Sequence, residues 1–493
     1  MASEPTAQRT PWELLLLLAV LFAAAHGQVP LYTSNQNTYF LQGLAWAGVG
    51  ELGRDWLAGT TTTVPVFSAY VAGVVRFLDP AVFYAVHAGL LAVYAGSLLA
   101  LVSAVRPTTP DATLGLTAAL LAPLHALVVT ERLGPTAAHV VQHLTQGVAG
   151  QPLMRPFHQP SAFGVGLLVA VVLATRSRTL AAVALAGLVP WMHAVYLLPA
   201  GLFVVALAAR ERSEAPRVLG LFALLVAVPV VSALRFGDGS AEAARILVHE
   251  RFPHHAELAT WLDATAVAQG LWAGLGVALA WRERRVGVPL AVWAGAALVL
   301  TGLEAATGSD RLAMLLPWRM LVLVVPTATA LVAGTLADAV VSRLPESARS
   351  AVLGGSLVVL GGLAVAGAAD TVTRIRAAAP GPLEAHARAT CDADDVYLVR
   401  PEDGDFRLAS ACPVYVDWKS HPYRGHEVLA WYARVGRARA VFAARDASTA
   451  AAAVEAVRAE GVTHLVVPAR REALYAPLGT VVARGGGRVV VAL

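Results

Sequence analysis

The polar residues able to do chemistry are few, and they fall in short clusters between apolar runs. Glu51 and Asp55 stand four apart, a spacing that puts both carboxylates on one face of a helical turn. Such a pair binds a divalent cation such as Mg2+ or Mn2+, or serves as a base. The competing reading is a solvated loop with an Arg54–Glu51 contact or an Asp55–backbone contact. His139 and His143 are also four apart, with Glu131 and His158 in the same loop, but no HExxH pattern accompanies them. The stretch Phe157-His158-Gln159-Pro160-Ser161 opens an apolar segment with proline early, and a helix N-terminus there offers unpaired N–H groups to an anion. His254 and His255 follow Arg251-Phe252-Pro253, between Glu250 and Glu257; metal binding, proton transfer and a purely structural turn all fit them.

Further on, Glu304, Asp310 and Arg311 precede Pro317-Trp318-Arg319. Arg319 falls about two turns into an apolar helix, on the order of 10 Å deep at about 1.5 Å per residue. A guanidinium at that depth faces protein, a cavity or a lipid phosphate, unless it snorkels to the interface. The segment Asp417-Trp418-Lys419-Ser420-His421-Pro422-Tyr423 follows a strand-like run, a common place for a functional loop. No glycine-rich phosphate loop, GxSxG elbow or Walker pattern is present, which argues against nucleotide binding.

The elements that hold these groups are set by composition. Of 493 residues 57% are hydrophobic and only 14% charged, with a mean hydropathy of +0.61, whereas a soluble globular chain carries about 25% charge. Apolar runs at 12–25, 82–104, 112–130, 159–175, 180–192, 194–209, 216–235, 265–281, 286–304, 312–337 and 350–368 predict an α-helical polytopic membrane protein of about eleven crossings. Arginine-bearing loops (Arg106; Arg176 and Arg178; Arg210, Arg212 and Arg217; Arg282, Arg284 and Arg285; Arg343 and Arg349) are expected in the cytoplasm. The mixed loops 28–81, 131–158, 236–264 and 305–311 are then external, with the N-terminus cytoplasmic and the C-terminus outside. The interval 180–209 has positive loops at both ends, so it must cross twice; the break falls at Pro190-Trp191-Met192-His193 and brings His193 near the outer face. Segments 38–46 and 64–78 read as amphipathic interfacial helices. The net charge of +4 is small for this length, and nucleic acid is not an expected partner.

From about Pro380 the pattern changes. Runs 396–399, 413–418, 463–468, 479–483 and 488–493 read as strands, and 426–437 and 448–460 as helices, the second stopped by Gly461. A membrane domain over 1–372 and an extracytoplasmic α/β domain over 380–493 are the expectation. In an oxidising compartment Cys391 and Cys412, the only cysteines, could close a loop of about 20 residues, or stay as two thiols.

Several of these stretches in order resemble one group of proteins: Asn35 with Tyr39-Phe40-Leu41, Asp55-Trp56-Leu57-Ala58, Pro65-Val66-Phe67, Gln159-Pro160-Ser161 with Phe163-Gly164, Phe252-Pro253-His254-His255, and Val416-Asp417-Trp418-Lys419-Ser420-His421-Pro422-Tyr423. The chain resembles an uncharacterised family of prokaryotic polytopic membrane proteins, which in turn look like the GT-C class of integral membrane glycosyltransferases. The resemblance implies a polyprenyl-phosphate-linked sugar donor, an unidentified acceptor, membrane lipids as surroundings, and the cytoplasmic membrane as location. By it Asp55 is the first-loop carboxylate, a base or a metal ligand, although here only Glu51 accompanies it, three residues removed rather than adjacent. Arg319 or Arg311 would neutralise the leaving phosphate, and His254 and His255 would orient phosphate or metal. His158, Gln159 and Lys419 complete the candidate binding residues. Two other classes are compatible with the pattern: a transporter or flippase of a lipid-linked or small solute, for which paired broken helices are missing, and a non-enzymatic envelope assembly protein.

Overall fold

In the computed structural model, which describes residues 12–236 and 240–493, each of the predicted apolar runs falls on helical structure. Arg9 and the rest of the first ten residues lie outside the described residues. Among the described residues five helices are long and apolar enough to cross a membrane: Val82–Val105, Ala215–Leu234, Arg284–Thr307, Asp310–Val341 and Glu346–Ala377. Shorter apolar helices, among them Trp12–His26, Thr179–Met192, Ala194–Arg210 and Ala264–Ala280, lie between them. Thr179–Met192 ends at His193, whose backbone is extended (φ −155°, ψ 112°), and the chain restarts as Ala194–Tyr196. The predicted break is therefore real.

The chain divides into two compact units, the first comprising 1–29, 83–231 and 252–374, the second 30–82, 232–251 and 375–493. In the first, Asp310–Val341 is the central helix, with 83% of its apolar window buried. Gly276 permits its closest neighbour to approach: a Cβ there would lie 2.4 Å from the Ala328 Cβ. The outward faces of the surrounding helices expose Leu224, Leu271, Leu298, Val358 and Val365 by 71–75%. Large apolar side chains exposed in such numbers are what a lipid-facing surface presents, not a water-facing one. The molecule is a polytopic α-helical membrane protein with a small α/β unit.

The second unit carries a four-stranded sheet in the order β1-β2-β4-β3, with β1 Tyr397–Leu398, β2 His464–Pro468, β3 Thr480–Gly485 and β4 Arg488–Ala492. β1 and β2 are parallel and the other pairs antiparallel. Helices Gly425–Ala443 and Ala447–Arg458 flank it in sequence, and Gly461 at φ +93° stops the second, since only glycine takes that conformation without strain. The run 413–418, expected as a strand, makes only an isolated bridge through Val414 to Tyr397. That bridge is made by the Pro413 carbonyl and the Tyr415 N–H (both 2.9 Å to Tyr397), while on the opposite edge the Val414 N–H donates to the Asp55 carboxylate (2.9 Å). Segment 30–82, expected as a loop of the membrane domain, packs with the C-terminal residues: the Glu51 N–H donates to the Ala411 carbonyl at 3.0 Å. Gly50 makes this possible, because at φ +50° a Cβ would lie 2.4 Å from that same carbonyl. Helices Gln36–Tyr39, Leu41–Ala47 and Pro65–Phe77 correspond to the two predicted amphipathic segments.

Candidate functional site

In the second unit Leu52–Arg54 is a short 3-10 turn and Asp55 leaves it extended, so Glu51 and Asp55 do not share a helical face. Glu51 is half-buried. Asp55 is 2% exposed. Its Oδ1 accepts from the backbone N–H groups of Leu57 (2.8 Å) and Ala58 (3.4 Å). Its Oδ2 accepts from Arg407 Nε (2.7 Å) and the Val414 N–H (2.9 Å). A carboxylate has about four acceptor positions, and all four are taken. The same Arg407 donates through Nη1 to Asp417 Oδ2, while Asp417 Oδ1 accepts from the Ser420 N–H. Burial pushes the Asp417 carboxyl above its ordinary range despite Arg407. Burial alone would lower Arg407, but the charges of Asp55 and Asp417 outweigh it and hold the guanidinium protonated.

Lys419 is half-buried, and its carbonyl accepts from Arg251 Nη2 at 2.6 Å. The Trp418 ring lies 5.1 Å from Trp431, centroid to centroid, with the Arg439 guanidinium 4.3 Å from its centre. The segment 417–423 is thus fixed as a packed wall rather than an open loop. Cys391 and Cys412 are free thiols. A hydrogen bond to Cys412, then burial, raises the Cys391 thiol well above its usual range.

In the first unit the candidates divide differently. His158 is 2% exposed and its ring packs against Phe83, His87 and Phe163 at centroid distances of 5.9, 5.9 and 5.6 Å. Burial brings it down to about 4. Gln159 is 3% exposed and donates to Ser161 Oγ at 2.6 Å. Both belong to the packed interior. Arg311 is exposed on the short helix Asp310–Ala313.

Arg319, by contrast, sits in the 3-10 turn Pro317–Met320 and is half-buried. Its Nε donates to Gln151 Oε1, and among the described residues that is its one hydrogen-bond acceptor. Its positive charge bears on His193 and His255. Burial first, then His254, Arg319 and Arg155, push His255 down to about 3. His255 Nδ1 lies 2.9 Å from the Ala149 carbonyl, and the exposed His254 ring is 4.1 Å from it, centroid to centroid. His254, Arg319 and Arg155 act on His255 in the same direction. Four interruptions of regular helix meet here: 148–158, 193–196, 253–256 and 314–320. Two carry non-glycine residues at positive φ, Ala149 (+59°) and Leu316 (+48°). Each costs on the order of 1–3 kcal/mol, a strain that collects at functional sites.

Among the described residues no group of three His, Cys, Asp or Glu side chains could hold a metal ion. Arg155, Gln151 and Arg407 escaped the sequence reading. The signal for Arg407 was a lone arginine between Phe406 and Leu408; for Arg155, an arginine directly ahead of the Phe157–Ser161 stretch.

Residues 381–438 match the model of a domain of unknown function, DUF6798. Nothing among curated proteins matches the chain. The crystal structure of ArnT from Cupriavidus metallidurans bound to undecaprenyl phosphate is similar over 98% of each chain, with 14% identity and a TM-score of 0.49. A likeness at that level carries no argument about individual residues.

Proposed function

We propose that this protein is a membrane glycosyltransferase acting at the external membrane face on a sugar linked to a polyprenyl phosphate. The carrying observation is the half-buried Arg319, bonded to protein through Nε to Gln151 among the described residues, whose charge, with that of Arg155, bears on His255 beside His254. In the transfer, an acceptor hydroxyl oxygen bonds to the anomeric carbon while the carbon–oxygen bond to phosphate breaks. The electron pair leaves with the polyprenyl phosphate, whose charge grows from one to two negative. Cations fixed in a partly dehydrated site gain most from the charge that develops in that step. The terminal nitrogens of Arg319 would form the paired bonds a phosphate accepts, and Gln151 would hold the guanidinium in place. Neutral His255, its Nδ1–H held by the Ala149 carbonyl, would present Nε2 as an acceptor and take the proton that the acceptor hydroxyl loses. Asp55, saturated by four donors, serves in this proposal to anchor segment 51–63 rather than to act as base or metal ligand.

The test is transfer from a polyprenyl-phosphate sugar by the full-length protein in liposomes. Arg319→Ala should cost about 10²–10³ in kcat, the usual loss for one such donor, with Arg319→Lys recovering part. Equal turnover by Arg319→Ala and wild type would remove the proposal.

A further inference from the structure

Residues 152–159 of the first unit form neither helix nor strand. Pro152 and Pro156 supply no N–H and exclude a helix through them. Arg155 stands directly before a proline, which keeps it out of the α region. Carbonyls in such a stretch of a membrane-spanning unit need donors from elsewhere in the protein. Two adjacent ones find them: the Pro156 carbonyl accepts from the Val29 N–H (2.8 Å), and the Arg155 carbonyl from His87 Nε2 (2.9 Å).

His87 lies in the second turn of the helix Val82–Val105 and is fully buried. Its ring stands edge-on to His26 and His158, at centroid distances of 6.5 and 5.9 Å, which leaves it little freedom to turn. A carbonyl only accepts, so in the neutral ring Nε2 carries the hydrogen. Nδ1 has no hydrogen-bond partner among the described residues. The segment that His87 grips carries site groups. Gln151 at its start holds Arg319, the Ala149 carbonyl just before it faces His255 Nδ1 at 2.9 Å, and the Arg155 charge bears on His255. Gln269 Nε2 fixes the approach at the Gln146 carbonyl (3.1 Å), and the Tyr196 hydroxyl fixes the exit at the Ser161 carbonyl (2.6 Å). Between them His87 holds the middle.

We propose that His87 is a positioning residue for the transfer reaction, setting Arg155 beside His255 through the Arg155 backbone carbonyl. The claim rests on the reading of the site given above. Transfer from a polyprenyl-phosphate sugar is measured with full-length variants in liposomes. His87→Leu and His87→Asn, the second polar but too short to reach the carbonyl, should each lose up to about 10²-fold in kcat, what a misplacement of about 1 Å costs, with KM changing less. His87→Gln, whose amide reaches as far as Nε2, should recover most of that loss. In an Arg155→Ala background all three should cost nothing further, whereas a general loss of fold would add in full. Nitrogen NMR of isotope-labelled histidine, with the His87 signal assigned by its absence in His87→Gln, should show Nε2 protonated and Nδ1 bare. Wild-type turnover in His87→Leu and His87→Asn, no recovery in His87→Gln, full additivity with Arg155→Ala, or a hydrogen on Nδ1 alone would overturn the assignment while Arg319→Ala still impairs transfer. No transfer by the wild type, or undiminished transfer by Arg319→Ala, removes the reading of the site itself, and this inference with it.

Discussion

Arg407 donates through Nε to Asp55 Oδ2 at 2.7 Å across 352 residues of chain, and both side chains are essentially excluded from solvent. With Asp417 on its other arm, Arg407 ties the first polar stretch of the sequence to the C-terminal fold. Three charges in one dry site make this a point where a single substitution leaves a buried charge uncompensated.

Arg407→Met should therefore destabilise the α/β unit by about 3–5 kcal/mol, read as a lowered midpoint in denaturant unfolding of the purified protein. Asp417→Asn should cost less, because it leaves Arg407 paired with Asp55. An Arg407→Met protein with the wild-type midpoint would show that the triad contributes little.

Acid should weaken the cationic cluster's local structure. His255 is held neutral in the folded protein, down at about 3, while an unfolded histidine titrates near ~6.5. Its contribution to stability is thus present above about pH 6.5 and is lost as pH falls toward 3. Thermal unfolding from pH 8 to pH 4 should show the loss, and His255→Gln should flatten the slope. An identical slope in that variant would assign the acid sensitivity elsewhere.

Polyprenyl phosphate should bind more weakly to Gln151→Ala, though less so than to Arg319→Ala, since Gln151 only orients the guanidinium. Arg311→Ala, on the exposed surface, should bind as wild type. Binding to nanodisc-embedded protein gives the ranking, and a loss at Arg311 equal to that at Arg319 would refute it.

The thiol pair gives a redox prediction. Cys412 is fully buried, and its nearness, then burial, raises the Cys391 thiol. Native protein should react slowly with maleimide at neutral pH, with both thiols labelled after denaturation. Oxidant should join the pair within one molecule, seen as loss of two labelling sites by mass. Rapid native labelling of Cys412 would contradict its burial.

How much of this was legible in the sequence follows from the range of the forces involved. Hydropathy is a local property, so apolar runs at 82–104 or 286–304 mark helices without any knowledge of their neighbours. The break before His193 was also readable, because two positive flanks demand an even number of crossings. Turn chemistry is local too, and Gly461 marked a helix end correctly. The strand expected at 413–418 is reduced to one bridge for a non-local reason: its neighbour β1 is two residues long, and beyond it the Trp418 N–H turns to the Pro401 carbonyl. Spacing likewise offered Glu51 and Asp55 as a pair, yet the 3-10 turn separates them and Arg407, 352 residues away, claims one. The arginines show the division best. Composition fixed how many there were and which loops held them. Only tertiary packing decided that Arg407 would be held between two aspartates while Arg319 was set beside Gln151 and two histidines, because a charge's partner is chosen by distance in space and not along the chain.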